Sequence, residues 1–335
     1  MLNSVQNTSK KPFIHTLTSK TVTNERVLIV TGYDYFLQRN DFIKLLQIYR
    51  QIILVPRSVN DDYFLGETVG RIINDYKNIH LVNNPIYDEQ HQVVYQIILG
   101  NSKTLKTTTV SDFCEATLKK IFIPESVNDV QDIVLDLKYF SVGVRLIKKA
   151  MDWGVGGLLV AVTFPVWLVA HSAIRRQSPG PVFYRQKRVG IREIEFECTK
   201  FRSMRLDAEA NGAQFSTKND ERIFNFGKTM RATRIDELPQ LLNIVRGEMS
   251  LVGPRPERKI FTDAFEEHIP HYAQRHVVKP GISGYAQVMY PYGAGLKDAR
   301  HKLMYDLYYI KNWSLWLETK IAIMTVWTVV SKVGR

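Results

Sequence analysis

Two adjacent carboxylates, Asp236 and Glu237, follow two arginines in the segment Arg231-Ala232-Thr233-Arg234-Ile235-Asp236-Glu237-Leu238-Pro239-Gln240. The pattern predicts a short helix over residues 233–247. Leu238, Leu241, Leu242 and Val245 share one face, Pro239 falls in the first turn, and Gly247 can end the helix. A helix N-terminus offers free N–H groups and the positive end of the dipole, which binds phosphate and keeps a nearby carboxylate ionised. Placed there, Asp236 suits nucleophilic attack on a phosphoryl group. Glu237, with Asp236 beside it, suits Mg²⁺, and Arg231 and Arg234 suit phosphate oxygens. A plain acidic N-cap uses the same residues, and spacing does not separate the two readings.

Two further segments offer cations. In Lys200-Phe201-Arg202-Ser203-Met204, Lys200 and Arg202 share a strand face by the period of two, as a second diphosphate clamp or as a solvated face. In Leu251-Val252-Gly253-Pro254-Arg255-Pro256-Glu257, Pro254 and Pro256 fix the backbone around Arg255. That suits a guanidinium aimed at phosphate or base, or simply a stiff surface turn. Lys279-Pro280-Gly281-Ile282-Ser283-Gly284 reads as a tight loop.

The elements that position these groups follow from length and patterning. A chain of 335 residues with 45% hydrophobic and 23% charged residues is an ordinary globular chain of two or three domains. Two cysteines exclude a disulfide scaffold, and both are read as reduced cytosolic thiols. The net charge of +12 arises entirely after residue 140, where 30 Lys and Arg face 18 Asp and Glu, so the anionic partner is expected there.

Residues 1–24 are polar, without an apolar signal core, and read as a mobile cytoplasmic arm. In residues 25–140, strand-like runs at 27–30, 52–55, 80–82, 93–99 and 121–124 alternate with helical stretches at 41–50 and 62–76. This suggests a Rossmann-like α/β domain with a largely parallel sheet, for regulation or pairing. Gly32 lacks a G-x-G-x-x-G context, so a dinucleotide site is only weakly supported. Residues 126–150 read as helical.

Residues 153–174 contain no charged side chain, which is long enough to span a bilayer. Pro165 interrupts the middle, and basic residues flank both ends: Arg145, Lys148 and Lys149 before, Arg175 and Arg176 after. Two basic flanks fit a re-entrant hairpin over residues 141–177, broken at Pro165, with both ends on the cytoplasmic side. A buried core helix is the alternative. The rest, residues 178–335, reads as a compact α+β domain. Strands are expected at 182–184 and 194–201 around a turn at Gly190. Its apolar tail, punctuated by Trp316 and Trp327, is an interfacial or a packed helix.

In this order the segments resemble the bacterial sugar transferase family, the monotopic polyprenyl-phosphate phosphoglycosyl transferases. The words are Ser178-Pro179-Gly180-Pro181-Val182-Phe183, Lys200-Phe201-Arg202-Ser203-Met204, Asp236-Glu237-Leu238-Pro239-Gln240-Leu241-Leu242-Asn243, residues 249–257, Pro280-Gly281-Ile282-Ser283-Gly284 and Tyr305-Asp306-Leu307-Tyr308-Tyr309. The resemblance implies that Asp236 attacks the sugar-side phosphate of a UDP-sugar, releasing UMP and forming a phosphosugar-aspartyl intermediate. Undecaprenyl phosphate then attacks, giving a polyprenyl diphosphate sugar for exopolysaccharide, capsule, O-antigen or other glycan synthesis. It also implies that Glu237 binds Mg²⁺, that Pro254-Arg255-Pro256 serves the nucleotide, and that Lys200 and Arg231 face phosphates. The implied setting is the cytoplasmic face of the inner membrane. Implied partners are anionic lipids and downstream glycosyltransferases, and a homodimer is the favoured assembly. One departure is Phe164 before Pro165, where family members often carry Ser. Thr163 is then the residue able to back-bond to the helix.

A Mg²⁺-dependent nucleotide-sugar pyrophosphatase anchored at the membrane and a non-catalytic scaffold are the competing readings. The intact Asp236-Glu237 pair argues against the scaffold. Nucleic-acid binding is not expected, because no RNA-recognition, zinc or helix-turn-helix signature accompanies the charge. Zinc is not expected either: His268, His271 and His276 lie near one another, but Cys114 and Cys198 are remote and form no quartet with them.

Overall fold

The computed structural model describes residues 25–31, 37–55, 79–81, 93–99, 104–124, 140–208, 220–290, 293 and 295–331. The chain divides into two units, Met1–Phe122 and Ile123–Arg335. The proposed arm at 1–24, the helix expected at 62–76 and most of the stretch 126–141 lie outside the described residues.

The first unit is built on β1 (Glu25–Thr31), α1 (Arg39–Ile48), β2 (Gln51–Val55), β3 (Ile79–Leu81), β4 (Val93–Leu99) and β5 (Thr104–Thr109). Its sheet order is β3-β2-β1-β4-β5. β3, β2 and β1 are parallel, but β4 and β5 are antiparallel to their neighbours. The sheet is therefore mixed, not largely parallel. β5, a Thr-rich run that the sequence reading passed over, follows β4 after four residues, too short a link for a parallel crossover. Residues 121–124 are not a strand. They are buried irregular chain. Leu28, Phe42, Leu45, Ile52, Ile53 and Phe113 form the core, and Asp41 and Lys120 pair within it, both fully buried.

The second unit is organised along one helix, α2 (Val142–Gln177). Ser141 caps it, its hydroxyl accepting from Val144 N at 3.3 Å. The helix runs without interruption through Pro165, where a break between two helices was expected. Thr163 makes the anticipated back-bond, donating to Leu159 O at 2.6 Å, and takes the Trp167 Nε1 donor at 3.1 Å. These bonds knit the turn around the missing proline N–H.

One stripe of α2 is seated on the unit. Lys148, Asp152, Gly156, Ala170 and Ile174 are buried. Ala170 and Ile174 join Val182, Phe201, Phe224 and Met230 in one core cluster. Val160 packs against a second cluster of Cys198, Leu241, Ile244 and Met249. Burial of each large side chain here contributes roughly 1.5–3 kcal/mol. The opposite stripe leaves Trp153, Leu158, Val162, Phe164, Leu168 and Val169 exposed.

Beside α2 lies the antiparallel hairpin of β6 (Phe183–Val189) and β7 (Glu195–Phe201), longer than the sequence suggested because cross-strand pairs such as Arg185–Glu197 carry charged positions into it. Then follow α3 (Asn225–Thr233), α4 (Gln240–Val245), β8 (Ser250–Val252), α5 (Lys259–Glu266), β9 (Gly281–Ser283), α6 (Tyr285–Met289), α7 (Leu296–Lys311) and α8 (Leu315–Ser331). β8 and β9 are parallel, and a Cβ on Gly281 would sit 2.1 Å from Gly253 N, so this close approach requires glycine. In α8, Glu318 and Ile321 face inward, while Trp316, Ile323, Val326 and Trp327 are exposed. α8 is thus not a packed core helix.

Candidate active site

Asp236 and Glu237 do not begin a long helix. They occupy a 3-10 turn, Ile235–Glu237, between α3 and α4. Arg234 links α3 to that turn with φ 60, in the left-handed region. Gly247, with φ 80, lies just past the end of α4. The buried face of α4 comprises Gln240, Leu241, Asn243 and Ile244, rotated from the expected one, and Val245 is exposed. Polar Asn243 takes an inward place because its bonds lie inside. Asn243 Oδ1 accepts from Thr199 N at 3.0 Å, and its Nδ2 donates to Glu197 O at 2.7 Å, pinning β7 beside Lys200.

Both carboxylates are buried, and their environments differ. Glu237 Oε1 accepts from Lys200 Nζ at 3.0 Å and from Arg255 Nη2 at 2.8 Å. Burial alone would raise the Glu237 pKa, but the Arg255 and Lys200 charges outweigh it and hold the group well below the usual carboxylate range. Asp236 is pushed the other way. Burial and the neighbouring Glu237 charge raise its pKa, opposed in part by Lys200, Arg231 and Arg234. Its Oδ1 is buried without a hydrogen-bond partner among the described residues.

Lys200, Arg231, Arg234 and Arg255 therefore all act on the pair. Arg202 does not join them. It leaves the end of β7 and turns toward the Ser178-Pro179 turn, donating to Ser178 Oγ at 3.0 Å, to Pro179 O at 3.2 Å and to Ser178 O. Its guanidinium braces the exit of α2.

The Pro254-Arg255-Pro256 segment is held by its carbonyls. Pro254 O accepts from Gly281 N at 2.9 Å, Arg255 O from Arg275 Nη2 at 3.0 Å, and Pro256 O from Arg188 Nη1 at 3.2 Å. Arg275 is itself buried and bonds Asp306 at 2.8 Å and the Tyr272 hydroxyl at 2.8 Å. Sequence reasoning gave no role to Arg275, Asp306 or Asn243. Asn243 on the face of an apolar helix was the one available signal.

The α2 helix reaches this region directly. Asp152 accepts from Ser250 Oγ at 2.8 Å and from Leu251 N at 2.8 Å, and Lys148 Nζ donates to Val252 O at 3.1 Å. Lys148 also pairs with Glu318 of α8. Asp236 Oδ1 and Glu237, whose two cations both sit on Oε1, offer hard oxygen donors of the kind Mg²⁺ takes, so the donor chemistry fits that ion.

Asp236, with one buried oxygen unpartnered among the described residues and cations around it, lies in the same unit as a long helix with an outward apolar face. The chain belongs to the bacterial sugar transferase family, whose pattern matches residues 143–332. It is 45% identical over 188 residues to the UDP-N-acetylgalactosamine-undecaprenyl-phosphate N-acetylgalactosaminephosphotransferase of Aeromonas hydrophila, covering 56% of this chain and 44% of the relative. It is 46% identical over 165 residues to a UDP-glucose:undecaprenyl-phosphate glucose-1-phosphate transferase of Xanthomonas campestris pv. campestris, covering 48% and 34%. It is 40% identical over 187 residues to the Caulobacter vibrioides protein of the same name, covering 55% and 70%. The chain thus spans less than half the length of the first two relatives.

Proposed function

We propose that the protein transfers a sugar 1-phosphate from a UDP-sugar to undecaprenyl phosphate. The observation that carries this is the asymmetry of the carboxylate pair. Glu237 is neutralised by Lys200 and Arg255, while Asp236 has a buried oxygen without a partner among the described residues. Asp236 Oδ1 attacks the sugar-side phosphorus. An Asp–O–P bond forms, the bond to the bridging oxygen breaks, and UMP leaves with the electron pair. A phosphate oxygen of the lipid then attacks the same phosphorus, and the Asp236 carboxylate departs. The product is a polyprenyl diphosphate sugar, the first membrane-bound intermediate of a surface glycan.

Arg231 and Arg234 face the incoming diphosphate, and Arg255, held from behind by Arg275, meets the nucleotide side. Mg²⁺ held by Asp236 and Glu237 would offset phosphate charge in both steps. The relatives' names cover two sugars, N-acetylgalactosamine and glucose, so the reading commits to the UDP-sugar class.

The setting we propose is the cytoplasmic face of the inner membrane, with the outer stripes of α2 and α8 in the lipid. Support comes from α2, whose early residue Asp152 and late residue Ile174 both rest on the same unit. A helix seated at both ends on one folded body keeps both basic flanks on one side. The excess positive charge favours anionic lipid.

The test is purified protein with Mg²⁺, undecaprenyl phosphate and a panel of UDP-sugars, with UMP and UDP assayed separately. Lipid-dependent UMP release that vanishes in Asp236→Ala is expected. UDP release would overturn the phosphosugar route, and lipid-independent UMP release would indicate a pyrophosphatase.

A further inference from the structure

Away from the carboxylate pair, we propose that Glu193, Glu266 and His276 form a binding site for a borderline divalent transition metal, Zn²⁺ being the best match. Three separate segments supply the groups. Glu193 lies in the turn between β6 and β7, Glu266 ends α5, and His276 sits in the 3-10 segment Tyr272–Val277. One ligand atom from each lies within 4.8 Å of the others.

The independent pointer to a ligand is His276. Its side chain is 8% exposed, yet its Nδ1 is buried with no hydrogen-bond partner among the described residues. That nitrogen faces Glu266 Oε1 at 3.9 Å, too far for a hydrogen bond. A buried ring nitrogen without a partner is a cost that a bound ion removes. Burial disfavours the charged imidazolium, and the neutral ring is the form that ligates metal. Glu266 is raised by burial and by the Glu193 and Asp263 charges, a crowding of anions that a cation relieves. Lys259, a cation whose charge reaches both glutamates, is engaged by Asp263 at 2.8 Å.

The donor set selects the ion. One imidazole and two carboxylates suit Zn²⁺, whereas Mg²⁺ favours oxygen donors throughout. Tetrahedral Zn²⁺ places its ligand atoms about 3.4 Å apart, so closure asks the two exposed glutamates to move by about an ångström. The histidine trio considered from sequence does not supply this set. His268 Nδ1 is already 3.0 Å from Ala264 O. The bound ion would tie the β6–β7 turn and α5 to the segment carrying Arg275, the residue that holds Arg255 O.

The experiment uses the full chain, stripped with chelator and desalted, and titrated with Zn²⁺ by calorimetry and thermal shift. The comparison is the exposed pair Glu193→Gln/Glu266→Gln, with His276→Gln as a second variant. Wild type is expected to bind one more Zn²⁺ than the double variant, to gain melting temperature on binding, and to keep that site under millimolar Mg²⁺. The variants should lose that site or weaken it at least tenfold. Equal stoichiometry, affinity and thermal response in wild type and the double variant would overturn the proposal.

Discussion

Lys200 and Arg255 meet on a single atom, Oε1 of Glu237, at 3.0 and 2.8 Å. One arrives on β7, pinned by Asn243, and the other from a loop stiffened by two prolines. Their convergence fixes Glu237 as an ion-paired strut and leaves Asp236 with a buried oxygen that has no hydrogen-bond partner among the described residues. Two neighbouring carboxylates thus acquire different chemistry from which cations can reach them.

Asp236→Asn should raise stability while removing turnover. The folded pKa of Asp236 lies above its unfolded value, so its contribution to stability is fully present below the unfolded pKa and is lost as pH rises through the folded one. Near pH 7 the ionised group is a net cost, and the amide removes it. Melting of the variant should exceed wild type at pH 7, by about 2–4 °C if the gain is about 1 kcal/mol, and the gain should shrink in acid. A lower melting temperature at pH 7 would contradict the raised pKa.

Under the proposed mechanism the acid limb of kcat/KM should report the same group, since a carboxylate nucleophile attacks in its ionised form. Arg234 lowers the Asp236 pKa, so Arg234→Gln should shift that limb to higher pH. Added salt should shrink the shift between the two proteins. A limb that stays in place would remove Arg234 from the field at Asp236.

Asp306→Ala should destabilise the protein by about 3–5 kcal/mol, because it strands Arg275 as a buried charge. Asp306→Asn, which keeps a hydrogen-bond acceptor, should cost less. Urea melts of the two variants provide the comparison, and equal losses would place the cost outside the Arg275 contact.

Trp316→Ala with Trp327→Ala should weaken binding to anionic liposomes in flotation assays without altering melting in detergent. Both rings are exposed, at 74% and 70%, so their removal leaves no core cavity. Unchanged flotation would place α8 away from the interface.

Much of the site was legible because its groups sit in short local words. Asp236-Glu237 and Pro254-Arg255-Pro256 keep their meaning whatever the surrounding topology. What could not be read was the partner of each polar group. Lys200 and Arg202 share a period of two, yet the strand ends between them and Arg202 closes the Ser178 turn instead. The 3-10 turn at Asp236 was hidden because periodicity over ten residues cannot distinguish it from the first turn of a helix. The mixed sheet of the first unit was missed for a related reason. Strand-like runs show where strands lie but not their direction, and the Thr-rich β5 lacks an apolar alternation.

Asp152 on α2 bonds the backbone and side chain of β8 two to three residues before the Gly253-Pro254 approach. Cutting residues 142–177 away to obtain a lipid-free version would therefore remove more than a tether. It would leave Ser250 Oγ and Leu251 N without their acceptor, and strip cover from Ile244 and Phe201. A preparation that keeps its site intact has to cloak the outer stripe of α2, with detergent, amphipol or surface redesign, and leave the inner stripe untouched.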